Sequence, residues 1–196
     1  MNMNNNDIIK KSFKTVKEML VDRNINIDNI KNITEEELFI LNDDNLIFDI
    51  KVNETYKIIY YMYNKIKIED IENYISENDK NILFISKELL TTNNYKTFNN
   101  SKKIVDNKIN IQFFYINELL YNIYHHELVP KHEPITDDKE KKEIMDKYLL
   151  KNMYQFPLIL KDDPICKYLD IKQNTLVKIT RPSKTSGEYI LYRYCV

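Results

Sequence analysis

The residues whose types could do chemistry are few. Asp49-Ile50-Lys51 puts a carboxylate and an amine on one face of a strand-like stretch. Such a carboxylate could hold a magnesium ion while the amine polarises an attacking water, the chemistry of metal-assisted hydrolysis. One carboxylate does not build that site, and the next apolar run, 56–63, carries none. His125, His126 and His132 are the only histidines. A zinc site needs about four ligands, and no cysteine lies near them in sequence. His125 or His126 as a hydrogen-bonded structural residue is the stronger reading. The single glycine, Gly187, leaves room for neither a nucleophile elbow nor a phosphate-cradling loop. The expectation is therefore no catalytic residue, no metal ligand and no cofactor. The alternative, a stand-alone magnesium-dependent nuclease, requires cleavage that Asp49→Ala abolishes.

The elements that would position these residues follow from periodicity. Asn6 is placed to cap a helix through about Val21, with Ile9, Phe13, Val16 and Leu20 on one stripe. Thr34 is placed to cap a second, with Glu35, Glu36 and Glu37 in its first turn. Strands are expected over Leu46–Val52 and Tyr56–Tyr63, joined through Asn53-Glu54, then over Asn81–Ile85 and Ile109–Tyr115. Helices are expected over Ile68–Ile75, Tyr95–Val105 and Asn117–Leu120. That order makes an α/β sandwich with a mixed sheet.

The last third reads as a small α+β module, mostly antiparallel. Thr136 is placed to cap a helix to about Leu150, with Ile144, Met145, Tyr148 and Leu149 inward. Phe156–Leu160 reads as an edge strand entered past Pro157, and Asp162 or Asp163 caps a short helix with Pro164 at its first position. Leu176–Arg181 and Glu188–Tyr194 alternate as a hairpin, and Gly187 at the end of the connecting loop supplies positive φ where the chain re-enters a strand.

Composition sets the outer bounds. A chain of 196 residues holds one domain or two small ones. A net charge of −1 gives no bulk basic field for independent nucleic-acid binding. No apolar run approaches the roughly 20 residues of a membrane span, and the polar start, Met1 to Asn6, lacks a signal-peptide core. Cys166 and Cys195 read as free thiols in a reducing, intracellular setting. Heavy use of Asn, Ile, Lys and Tyr suits an AT-rich genome, a protist or a large cytoplasmic DNA virus.

Four blocks of the last third occur together: His125-His126-Glu127-Leu128-Val129-Pro130-Lys131-His132-Glu133; Phe156-Pro157-Leu158-Ile159; Asp163-Pro164-Ile165-Cys166-Lys167-Tyr168-Leu169; and Val177 through Tyr189, which holds Arg181-Pro182-Ser183-Lys184-Thr185-Ser186-Gly187. In that order they resemble the small shared subunit of cellular RNA polymerases, found in the archaeal enzyme and, as the fifth subunit, in the eukaryotic nuclear enzymes. Where relatives commonly carry glycine this chain has Asp170 and Asn174, the types best able to replace it at positive φ.

The resemblance implies a non-catalytic subunit of a multisubunit DNA-dependent RNA polymerase; the alternative besides a nuclease is a transcription adaptor that uses the same module outside polymerase. It implies an N-terminal jaw domain over 1–122, restriction-nuclease-like but catalytically empty, and a C-terminal assembly domain over 123–196 docking on the largest subunit. The expected partner contacts are Arg181, Pro182, Ser183, Lys184, Thr185 and Gly187. By position in the jaw, Thr91, Thr92 and Asn93, flanked by Lys87 and Lys96, would form a loop touching downstream double-stranded DNA weakly and without sequence preference. No membrane association and no homo-oligomer are expected. The place of action would be the nucleus, or the viral factory and virion of a large DNA virus.

Overall fold

The computed structural model describes residues 5–34, 37–38, 46–67, 71–76, 78–183, 185 and 187–196. Contacts divide the chain into two compact units, Met1–Tyr121 and Asn122–Val196. Each is mixed α and β, built on its own four-stranded mixed sheet.

The first unit opens with α1 (Asn5–Asp22), whose inner stripe is Ile9, Phe13, Val16, Met19 and Leu20. Asn6 lies inside this helix and is not its cap. A short α2 (Asp28–Lys31) follows. Thr34 and Glu37 form the reciprocal pair of a capping box: Thr34 N–H donates to Glu37 Oε2 (2.8 Å) and Glu37 N–H to Thr34 Oγ1 (3.3 Å). Glu35 and Glu36 lie outside the described residues.

The sheet runs β1 (Ile47–Lys51), β2 (Tyr56–Tyr61), β3 (Asn81–Ser86), β4 (Asn110–Tyr115) in spatial order. β1 and β2 form the expected hairpin; β2, β3 and β4 are parallel. Parallel neighbours need a crossover, and β3 reaches β4 through α3 (Thr92–Asn99) and α4 (Lys102–Asp106). The single helix expected over Tyr95–Val105 is thus two, parted at Asn100-Ser101. The helix expected from Ile68 is described only from Ile71 and amounts to a turn there; residues 68–70 lie outside the described set. The helix expected at Asn117 is a 3-10 turn, Ile116–Leu119.

All of β2 is buried, because the sheet is covered on both faces. On one side Ile59, Tyr61, Phe84 and Phe113 pack with Phe98 and Ile104 of α3 and α4. On the other, Tyr60 is fully buried, with its hydroxyl 3.2 Å from Ser12 Oγ of α1.

The second unit has the strand order β5 (Lys131–Ile135), β7 (Leu176–Ser183), β8 (Gly187–Cys195), β6 (Leu158–Ile159). β5 is an addition to the expected strands; Pro134 in so short a run obscures it, and the strand survives at an edge. β6 shrinks from the expected Phe156–Leu160 to two residues and pairs parallel with β8, so the sheet is mixed. A 3-10 turn, Met153–Gln155, leads the chain towards it.

Asp137, not Thr136, caps α5 (Asp138–Lys147), accepting from Lys139 N–H. Asp163 caps α6 (Pro164–Tyr168), with the proline at the start as expected. α5 stops three residues before Leu150, and Leu149 is 89 % exposed where an inward side chain was expected.

The helix ends share a device. Asn24, Lys108, Leu149 and Asp170 have φ of 58, 52, 54 and 53°, each just past a helix. In each case the next residue donates back to the carbonyl five positions earlier: Ile25 to Leu20, Ile109 to Ile104, Leu150 to Met145 and Ile171 to Cys166. This is the Schellman ending, built here four times without glycine and each time with an apolar residue after the left-handed one. Asn174 (φ 66°) and Gly187 (φ 75°) take the left-handed region outside helices.

Candidate functional site

The residues expected to meet DNA leave the sheet together at the carboxyl end of β3. Lys87 follows Ser86 directly, and its N–H donates to Tyr61 O (3.0 Å). The rest is not a loop. Thr91 is the N-cap of α3, its Oγ1 accepting from Asn94 N–H (3.3 Å), and Thr92, Asn93 and Lys96 lie in the helix. A threonine followed by small polar residues is a cap signal that a loop reading overlooks. Thr91, Thr92, Asn93 and Lys96 are all exposed.

The residues expected to meet a partner chain occupy a hairpin tip in the second unit. β7 continues through Arg181, Pro182 and Ser183, which pair with Tyr189, Glu188 and Gly187. The expected loop of seven is therefore mostly strand. Pro182 lacks an N–H for the ladder and is tolerated beside the turn. Arg181, Pro182, Thr185 and Gly187 are exposed, Ser183 half-buried with Oγ 3.3 Å from Thr185 Oγ1; Lys184 lies outside the described residues. A Cβ built on Gly187 meets nothing within 4 Å, so its positive φ, not crowding, is what calls for glycine.

Asp49 finds a lysine, but not Lys51. Lys57 Nζ lies 3.4 Å from Asp49 Oδ2 and 3.0 Å from Asp79 Oδ2, and donates to Tyr74 O at 2.8 Å. Its side chain is 8 % exposed and that of Asp79 is 4 %. The second carboxylate comes from a turn rather than the neighbouring strand. The space between the two acids is filled by a tethered ammonium, which offsets one of their two negative charges within the chain. In the sequence Lys57 belongs to a buried aromatic strand and Asp79 to a polar turn; only parallel pairing of β2 with β3 brings them together.

The histidines are hydrogen-bonded one by one. His125 Nδ1 is 3.2 Å from Asn122 Nδ2, and His126 Nδ1 accepts from Leu128 N–H at 3.2 Å. His132 is the buried one: Nδ1 donates to Pro130 O at 2.7 Å, and burial holds its pKa below the usual imidazole value. Cys166 and Cys195 are free and buried in one apolar cluster with Ile171, Val177 and Ile179. Burial pushes the Cys166 thiol up to about 12, so it is protonated and a weak nucleophile near neutral pH.

Arg181, Pro182, Thr185 and Gly187 at the hairpin tip and Thr91, Thr92 and Asn93 at the start of α3 are exposed surfaces. Residues 121–195 match the family model described as RNA polymerase Rpb5, C-terminal domain. Over 193 residues, 93 % of this chain and 94 % of the relative, the chain is 31 % identical to "DNA-directed RNA polymerases I, II, and III subunit rpabc1" of Dictyostelium discoideum. The RPABC1 subunits of Caenorhabditis briggsae and Caenorhabditis elegans are 43 % identical over 89 residues, 45 % of this chain and 41 % of theirs. The chain belongs to the family of the shared RNA polymerase subunit, whose members are non-catalytic.

Proposed function

We propose that this chain serves transcription as a non-catalytic subunit of a multisubunit DNA-directed RNA polymerase. The observation that carries this is similarity along nearly the whole chain to a subunit shared by three polymerases, with the C-terminal match spanning 121–195. Residues 123–196 act as an assembly module that docks on the largest subunit, and residues 1–122 act as a catalytically empty jaw of nuclease-like fold beside downstream duplex DNA. Support for docking comes from the exposed tip at Arg181, Pro182, Thr185 and Gly187 and from Tyr189, 57 % exposed beside it. Support for the DNA reading comes from hydroxyls and lysines gathered at one end of the first sheet, groups that hold phosphates without reading bases. In this reading the chain acts inside the cell, in the nucleus, or in the viral factory and virion if its source is a large DNA virus.

Purification through a tag on this chain tests the reading. The large polymerase polypeptides should co-elute at about one copy per chain, and their absence would overturn it. Arg181→Glu should cut recovery of the largest subunit several-fold. Recovery at the wild-type level would remove the hairpin tip from the interface while leaving subunit membership intact.

A further inference from the structure

We infer that the first unit holds a nucleic-acid duplex with two loops, the segment after β2 joining the segment after β3 in a single phosphate-binding face. This rests on the reading that the unit lies against duplex DNA, and it adds Lys65 and Lys67, which neither motif nor position in the sequence singles out.

Parallel pairing is the starting point. β2 and β3 run side by side with Tyr61 opposite Ser86, so both chains leave the sheet at the same end. Open α/β sheets present ligands at the carboxyl ends of their strands. Tyr61 then fixes both exits. It is 1 % exposed, its ring centroid 5.8 Å from that of Phe84. Its main-chain oxygen accepts from Lys87 N–H at 3.0 Å. Its hydroxyl donates to Lys65 O at 2.7 Å and accepts from Lys67 N–H at 3.1 Å. One buried residue thus anchors the backbone of three of the four lysines, and the fourth, Lys96, stands on the helix that follows.

Charge supplies the partner's chemistry. Among residues 62–67 and 87–96, Lys65, Lys67, Lys87 and Lys96 face a single carboxylate, Glu88. Four lysines against one carboxylate give these two segments a net charge of +3, whereas the chain as a whole is at −1. Lys65, Lys67 and Lys96 are exposed, as are Thr91 and Thr92 at the start of α3. The two exposed tyrosines at this end are held against core rings, Tyr63 against Tyr61 (5.6 Å) and Tyr95 edge-on to Phe113 (5.0 Å). They are not free platforms for unstacked bases, which favours a duplex backbone over a single strand.

The test uses polymerase reconstituted with the full chain, normalised for subunit content, and reads retention of downstream duplex across a salt titration. Lys65→Glu/Lys67→Glu should weaken retention several-fold and flatten the log–log salt slope by about 2, since each lost phosphate contact removes about 0.9. Lys80→Glu/Lys108→Glu carries the same charge change at the opposite end of the sheet, about 20 Å away by strand length, and should match wild type. If Lys87→Glu/Lys96→Glu flattens the slope while Lys65→Glu/Lys67→Glu behaves like that control, the two-loop face is overturned and a one-loop contact stands. If neither pair moves the slope, the reading of the unit as a duplex contact falls, and this inference with it.

Discussion

The two units bury their sheets in opposite ways. In the first, β2 has every side chain buried and even its lysine turned inward to Asp49 and Asp79. In the second, β8 lies between β7 and β6, yet β6 covers only Tyr194 and Cys195. The rest of that side of β8 is open edge, with Tyr189 57 % and Ile190 39 % exposed. An open edge carrying large apolar side chains is a surface on which another chain can pair. The contrast separates a unit whose central strand is wholly buried by its own chain from one whose central hairpin stays partly exposed.

The strongest way to break this contrast is to attack the inward lysine. Lys57→Met leaves Asp49 and Asp79 without their counter-charge, and Asp79 is 4 % exposed. Removing one partner of a buried ion cluster costs about 3–5 kcal/mol. Native-state hydrogen exchange on the full chain should show that loss in the opening free energy of β2 and β3 amides, with β7 amides unchanged. A loss below about 1 kcal/mol, the range of exposed pairs, would mean the cluster is screened by water and the first unit is less closed than argued.

Acid should act on the other unit. His132 is kept neutral chiefly by burial, with Arg181 and Arg193 adding to that and the Pro130 carbonyl and Asp163 opposing it. Its folded pKa lies below the unfolded value, so the unfolded chain binds more protons as pH falls through about 6.5. The stability it contributes is complete above that pH and declines below it until the folded pKa is reached, by at most about 1.4 kcal/mol per pH unit. Comparing wild type with His132→Asn at about pH 7.5 and 5.5 isolates the effect from the carboxylates. Wild type should lose more than the variant in β5 and β7 amides, and an equal loss in both would show that His132 protonates without resistance.

What the sequence makes legible is period and punctuation. Alternation locates β1, β4, β7 and β8, a dense aromatic and β-branched run locates β2, Asp163-Pro164 gives a helix start, and Asp170 and Asn174 sit at the positive φ expected of glycine substitutes. Hidden from it are contacts that depend on which strands pair in parallel. Asp79 reaches Lys57 only after β2 and β3 are set side by side. His132 ranks below His125 and His126 in the sequence because burial on an unforeseen strand, β5, is not visible in a run of charged residues. The helix starting at Thr92 reads as a loop because its first turn is Thr and Asn, types that favour turns as readily as caps.

The helix ends give the finest comparison, because both units use the same glycine-free device. Lys108 ends a helix in the first unit and Leu149 in the second, with φ of 52 and 54°, and both side chains are exposed. A residue with a Cβ at that conformation costs about 1–2 kcal/mol, while glycine there raises the entropy of the unfolded chain by about 0.5–1 kcal/mol. Lys108→Gly and Leu149→Gly should therefore each stabilise their own unit by about 0.5–1 kcal/mol. Asn24→Gly should gain less, since asparagine already tolerates the left-handed region. Thermal melts of the three variants would rank them, and equal gains at all three would show that the apolar residue after each turn, not the backbone conformation, decides how firmly these helices end.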